Sequence, residues 1–177
     1  IEQEKGAVRV IITPGQPVKV THLRLVFQGE AGNDIAFTAL RESLPLKEGD
    51  VFHHGHYESL KAAVQSLALE RGYFEATWER HDVVVDPDQH TAGIDLVYAS
   101  GQRFVFGPVS FEGMDGQPQT LVRPHVLASM VPFEPGEPFS ATSIIKLNKS
   151  LLDTRYFSEV RVRQQTEGEA AQTVPVR

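Results

Sequence analysis

The chain has 177 residues, 41% hydrophobic and 23% charged, with a net charge of −6 and no cysteine. That length holds one or two domains of roughly 100 to 200 residues each. The acidic balance lacks the basic face that nucleic-acid binding needs, and no apolar run approaches the roughly 20 residues of a membrane-spanning helix. The lack of cysteine suits an oxidising compartment but equally suits many cytosolic domains. The chain opens at Ile1 in what reads as mid-sequence and closes on Thr173-Val174-Pro175-Val176-Arg177, an unfinished strand. It therefore reads as an excised piece of a larger protein.

Ala7 to Pro14 is rich in β-branched residues and reads as a strand, broken by Gly15-Gln16-Pro17. Val18 to Phe27 reads as a second strand, and a phase shift near Thr21-His22 predicts a bulge. Asn33 and Asp34 are helix N-cap residues. Phe37, Leu40 and Leu44 follow at helical spacing, and Pro45 stops the run. A second helical stripe comprises Tyr57, Leu60, Val64, Leu67 and Ala68, with Gly72 suited to a left-handed C-terminal cap. Glu75 to Val85 then reads as a strand that turns at Asp86-Pro87-Asp88-Gln89 into Ile94 to Tyr98. Ala76 and Trp78 differ in parity from Val83 and Val85, so which set faces the core stays open.

The pattern then repeats. Leu23 and Leu25 fall on Val109 and Phe111 at an offset of 86, with Gly107-Pro108 at the matching bend. Pro124 suits a first helical position, and Leu127 and Val131 carry the stripe. The connector Leu44-Pro45 to Phe52 returns as Val131-Pro132 to Phe139 at an offset of 87. Ser140 is a helix cap, Ile144, Leu147 and Leu151 are the next stripe, and Gly72-Tyr73-Phe74 returns as Arg155-Tyr156-Phe157. Arg155 in place of Gly72 predicts that the two helix caps differ. Val160-Arg161-Val162-Arg163 reads as the second copy's middle strand, followed by a polar loop at Glu167-Gly168-Glu169 and the closing strand. Val8, Val10 and Ile12 also fall on Ile94, Leu96 and Tyr98 at an offset of 86. Residues 1–14 are thus expected to be the last strand of a preceding, truncated repeat, with repeats at 15–101 and 102–177, the latter with its final strand clipped.

Each unit reads β-α-α-β-β, an α+β arrangement in which two helices cover one face of a three-stranded mixed sheet. Tandem units of this order, joined by a Pro–Gly connector and closing helix two on Gly-Tyr-Phe or Arg-Tyr-Phe, resemble POTRA domains. These are the periplasmic repeats of the outer-membrane protein assembly and polypeptide-transport superfamily. Within it, Tyr98 to Val109 is similar to the junction before the last POTRA domain in the TamA branch, the outer-membrane subunits of the translocation and assembly module.

The resemblance implies a periplasmic arm attached to a C-terminal outer-membrane β-barrel. It implies unfolded outer-membrane proteins, autotransporters among them, as clients, and an inner-membrane-anchored TamB-like partner. A BamA-like or two-partner-secretion arm is the alternative within the class. Strand two is the edge such repeats offer to an extended chain, through unpaired backbone groups. Here the candidate edges are Glu75, Ala76, Thr77, Trp78, Glu79, Arg80, Val83 and Val85, and Ser158, Val160, Arg161, Val162 and Arg163. Their charges, with Asp82, are of the kind that deters uncontrolled edge pairing.

Other readings are weaker. His53, His54 and His56 are weak candidate metal ligands, because imidazole binds zinc but no cysteine or second ligand pair accompanies them. They would make the chain a metal-binding protein, against the plainer reading of a solvated helix start. Ser59, His56 and Asp50 lie near one another, but neither a nucleophile elbow nor a phosphate loop is present, so no enzyme and no cofactor is expected. Tyr73, Phe74, Tyr156 and Phe157 read as core and inter-repeat packing rather than client contacts. Trp78 fits either role.

Overall fold

The computed structural model describes residues 15–113, 116–118, 122–164 and 172–176. The expected strand at 7–14 and the polar loop at 167–169 lie outside them.

The first part of the chain builds one mixed sheet. β1 (Lys19–Gln28) pairs parallel with β3 (Thr91–Ala99), which pairs antiparallel with β2 (Thr77–Asp86). The order β1-β3-β2 makes β3 the central strand and leaves β2 at an edge. Between β1 and β2 come a short 3₁₀ turn (Glu30–Asn33), α1 (Ile35–Glu42) and α2 (His54–Arg71). Phe37 of α1 and Tyr57, Leu60, Val64 and Ala68 of α2 share one core with Ile94, Leu96 and Tyr98, the alternate residues of β3. That alternation is the period-two pattern of a strand with one face on a core.

Two bulges resolve the parity breaks. β1 shifts register between Val20 and His22, at the predicted place. β2 shifts between Trp78 and Arg80, so Glu79 is an extra residue. An extra residue moves the rest of the strand to the other face, and Ala76, Trp78 and Val83 all pack on the same core.

The second part builds β4 (Val105–Val109), α3 (Pro124–Ala128), α4 (Ala141–Asp153) and β5 (Thr173–Val176) around its own core of Phe106, Phe133, Phe139, Leu147 and Val174. β4 and β5 pair in parallel, with a register shift between Phe106 and Val109 that matches the bulge in β1. The two parts repeat at the level of single hydrogen bonds. The Val20 N–H donates to the Asp50 carbonyl at 2.9 Å, and the Val20 carbonyl accepts from Gly49 at 2.8 Å. Phe106 does the same with Glu137 at 2.8 Å and Gly136 at 2.7 Å. Gly49 and Gly136 take φ of 93° and 91°, so these glycines hold a backbone turn that a side chain would strain.

One expectation is corrected. Residues 158–163 do not form a regular strand; next to them only Gln164 bridges Val176, antiparallel. The strand it would pair with, β5, has four described residues, and Pro175 among them has no N–H to donate. Among the described residues the second sheet is therefore two-stranded. The ends of α2 and α4 differ, as predicted: α2 closes on left-handed Gly72, whereas α4 closes on right-handed Thr154. Gly72 takes φ 86°, and Arg155 follows at φ 58°, left-handed despite its side chain.

Candidate functional site

The β2 edge is held from three directions. Its start is anchored by Trp78, whose ring lies 4.6 Å from that of Tyr98 on the neighbouring strand and packs on the core. Trp78 is thus a half-buried anchor of the edge rather than a free contact. Its middle is tied across the outer sheet face, where Arg80 donates to Asp95 of β3 at 2.9 Å and Arg24 of β1 approaches the same carboxylate at 3.7 Å. Its far end is closed by Asp86, whose carboxylate accepts from the N–H groups of Asp88 and Gln89, the side-chain-to-backbone turn that aspartate favours.

Along this edge Val84 is 69% exposed and Val85 43%. A strand paired on one side only presents outward N–H and C=O groups that can template another extended chain. Glu75 and Ala76 lie just before β2, and Ala76 is packed on the core. Of the charges expected to guard the edge, Arg80 is turned onto the sheet face toward Asp95 and Asp82.

The other predicted residues behave differently. Val160 and Val162 pack against the second core, and Arg161 pairs with Glu159 at 2.6 Å. His53 caps α2, its Nδ1 accepting from the Gly55 N–H at 3.1 Å. His54 lies 3.8 Å from Glu58 on the same helix. Among the described residues no three His, Cys, Asp or Glu side chains converge as a metal site. No helix among them is long and apolar enough to cross a membrane.

Sequence reasoning missed the joint between the two parts. Arg103 donates from Nε to the Arg71 carbonyl at 2.7 Å and from its guanidinium to the Phe139 carbonyl at 2.9 Å. The Phe104 N–H donates to the Gly72 carbonyl at 2.9 Å, and Phe74 sets its ring edge-on to both Phe104 and Phe139. Burial pushes the Arg103 pKa below its usual value, though the guanidinium stays charged. Beside the joint, Asp34 caps α1 by accepting from Ala36, while its second oxygen accepts from Arg71 at 2.6 Å and from Tyr73 at 3.1 Å. Burial opposes the Asp34 charge, but these hydrogen bonds and the Arg71 charge outweigh it and hold the carboxyl below its usual range. Burial and the Asp34 charge push Tyr73 up to about 12. The cap at Asp34 was legible in sequence; its link to Arg71, 37 residues on, carried no local signal.

Residues 24–99, the stretch that contains this edge, match the POTRA family model, described as "Surface antigen variable number repeat". In fold the chain is similar to POTRA3-5 of Haemophilus influenzae BamA, at 21% identity and a TM-score of 0.56, over 90% of this chain and 59% of that one. It is similar to Haemophilus ducreyi BamA lacking POTRA domains 1-3, at 18% identity and a TM-score of 0.62, over 89% of this chain and 28% of that one. POTRA1-2 of Omp85 from Anabaena matches at 10% identity and a TM-score of 0.56, over 91% of this chain and 95% of that one. The chain thus spans between about a quarter and three fifths of the two BamA structures.

Proposed function

We propose that the chain is part of the periplasmic POTRA arm of an outer-membrane β-barrel assembly or translocation factor of the TamA type. In this reading it is a scaffold without catalysis or cofactor. Residues 15–101 and 102–177 are two tandem repeats of that arm. It receives unfolded outer-membrane proteins or autotransporters as extended segments, passes them toward a C-terminal barrel, and docks an inner-membrane-anchored TamB-like partner.

The observation that carries this reading is the edge position of β2, paired on one side to β3 with Val84 and Val85 exposed. Strand addition suits a client whose only constant feature is its backbone, because main-chain hydrogen bonds supply affinity without reading sequence. The test is titration with an unfolded outer-membrane β-strand peptide, followed by backbone amide shifts and by the fluorescence of Trp78, the single tryptophan of the chain. Shifts along Thr77–Asp86 support the reading. Saturating peptide that moves neither these amides nor the fluorescence overturns it.

A further inference from the structure

The outward-facing backbone groups of β2 can be assigned from its neighbour β3. Next to β3, the His90 carbonyl accepts from the Lys19 N–H at 2.9 Å, and the Ser100 N–H donates to the Gln28 carbonyl at 3.0 Å. The extra residues of both bulges lie in β1 and β2, so β3 alternates without a break and its even-numbered residues bond toward β1. Its odd-numbered residues Thr91, Gly93 and Asp95 therefore bond toward β2, where they stand opposite Asp86, Val84 and Asp82. His81, Val83 and Val85, between the bulge at Glu79 and the turn at Asp86, aim their N–H and C=O groups away from the sheet.

One of these outward groups is already engaged. The Tyr57 hydroxyl donates to the His81 carbonyl at 2.8 Å. Tyr57 is well held for this contact: it is buried in the core it shares with Ile94 and Leu96, and Lys61 Nζ stands 5.1 Å from its ring centroid. Burial, with the charges of Glu58 and Asp82, raises the Tyr57 pKa, so the hydroxyl keeps its proton and stays a donor. Among the described residues, no side chain donates in this way to the carbonyls of Val83 or Val85. The opposite edge of the sheet is closed further. Val20 of β1 bonds to Asp50 and Gly49, and the Leu23 N–H donates to Glu48 Oε1 at 2.9 Å.

We infer that Tyr57 is a stop on the β2 edge, confining an added strand to the acceptors of Val83 and Val85 and so setting which amides of the client are read. This rests on the reading of β2 as the docking edge and names the residue that limits it. An extended segment meets the Val83 and Val85 carbonyls with its own alternate N–H groups. Its next alternate amide, which would donate to His81, finds that acceptor occupied. Proline, which has no N–H, is therefore tolerated in the client at that third position and excluded from the other two.

The experiment titrates an unfolded outer-membrane β-strand peptide, and a series of its singly N-methylated forms, into the native chain and into Tyr57→Phe. The variant keeps the ring in the core and removes only the hydroxyl. With the native chain, N-methylation is expected to weaken binding about fivefold at the two positions facing Val83 and Val85 and to be silent at the next alternate one. Tyr57→Phe is expected to bind the unmodified peptide about fivefold tighter, to extend the amide shifts to His81, and to become sensitive at the third position. A tyrosine that served the core alone would give no such gain. Equal or weaker binding by Tyr57→Phe with an unchanged methylation profile overturns the inference and leaves β2 as the docking edge. So does a native profile already sensitive at all three positions, a result that needs no variant to fold. A peptide that moves no β2 amide in either chain fails the reading of β2 itself, and the inference falls with it.

Discussion

Gly72 and Phe139, at the end of α2 and the end of the second connector, stand so close that a Cβ on Gly72 would lie 2.7 Å from the Phe139 Cβ. Gly72 also takes φ 86° and accepts the Phe104 N–H, so one residue ends a helix, admits the second part of the chain and bonds to it. Arg155 takes a similar φ at the corresponding place, where it is exposed. Left-handed backbone alone is therefore tolerable; close approach is what makes glycine necessary at 72.

Gly72→Ala is accordingly expected to cost about 2 kcal/mol or more, a left-handed penalty of roughly 1–2 kcal/mol plus the clash. Its amide perturbations should extend to Phe104 and Phe139. Chemical denaturation with amide shift mapping checks this. A loss below about 1 kcal/mol, with shifts confined to α2, would show that the connector gives way freely.

Arg103 joins the two parts of the chain by donating to a carbonyl from each side. Arg103→Met keeps much of the stem's apolar contact and removes the donors, leaving the Arg71 and Phe139 carbonyls without them. We expect a modest loss of stability, about 1–3 kcal/mol, and a wider spread of orientations between the two parts in residual dipolar couplings. Arg103→Lys should restore charge but not the fork that reaches both carbonyls, so it should resemble Met in the couplings. Unchanged couplings in both variants would place the rigidity in the Phe74 ring packing instead.

Asp34 sets a pH dependence whose sign follows from its lowered pKa. A carboxylate held below its unfolded value of 3.8 adds stability that is present above that value and lost as pH falls through the folded one. Asp34→Asn keeps an acceptor for the α1 cap but removes the charge facing Arg71. The native chain should be more stable than the variant at pH 6, and the gap should narrow progressively below about pH 4. Thermal melts across this range decide it; a gap independent of pH would assign the role of Asp34 to the cap alone.

Much of this architecture was legible because its signals are local and occur twice. Asp34, Pro45, Gly72 and Pro124 punctuate helices by backbone chemistry, and the Pro–Gly connector turns at the same φ in both copies. The bulge at Glu79 was not legible, since one added residue leaves only a parity conflict between Trp78 and Val83. Residues 158–163 misled because alternating Val and Arg is a strand pattern, yet a strand needs a partner ladder as well as a pattern. Arg103 and the Asp34–Arg71 pair were invisible because they join residues more than thirty positions apart.

The edge reading of β2 makes a prediction that separates binding from folding. Successive N–H groups along a strand point to opposite sides, so of Val84 and Val85 one donates toward β3 and the other away from it. Proline removes that donor. Of Val84→Pro and Val85→Pro, the one that loses the inward N–H should destabilise the sheet. The other should leave the Tm nearly unchanged while weakening peptide binding about fivefold, the worth of one lost hydrogen bond of about 1 kcal/mol. If both variants bind the peptide as tightly as the native chain, β2 is not the docking strand, however exposed its valines are.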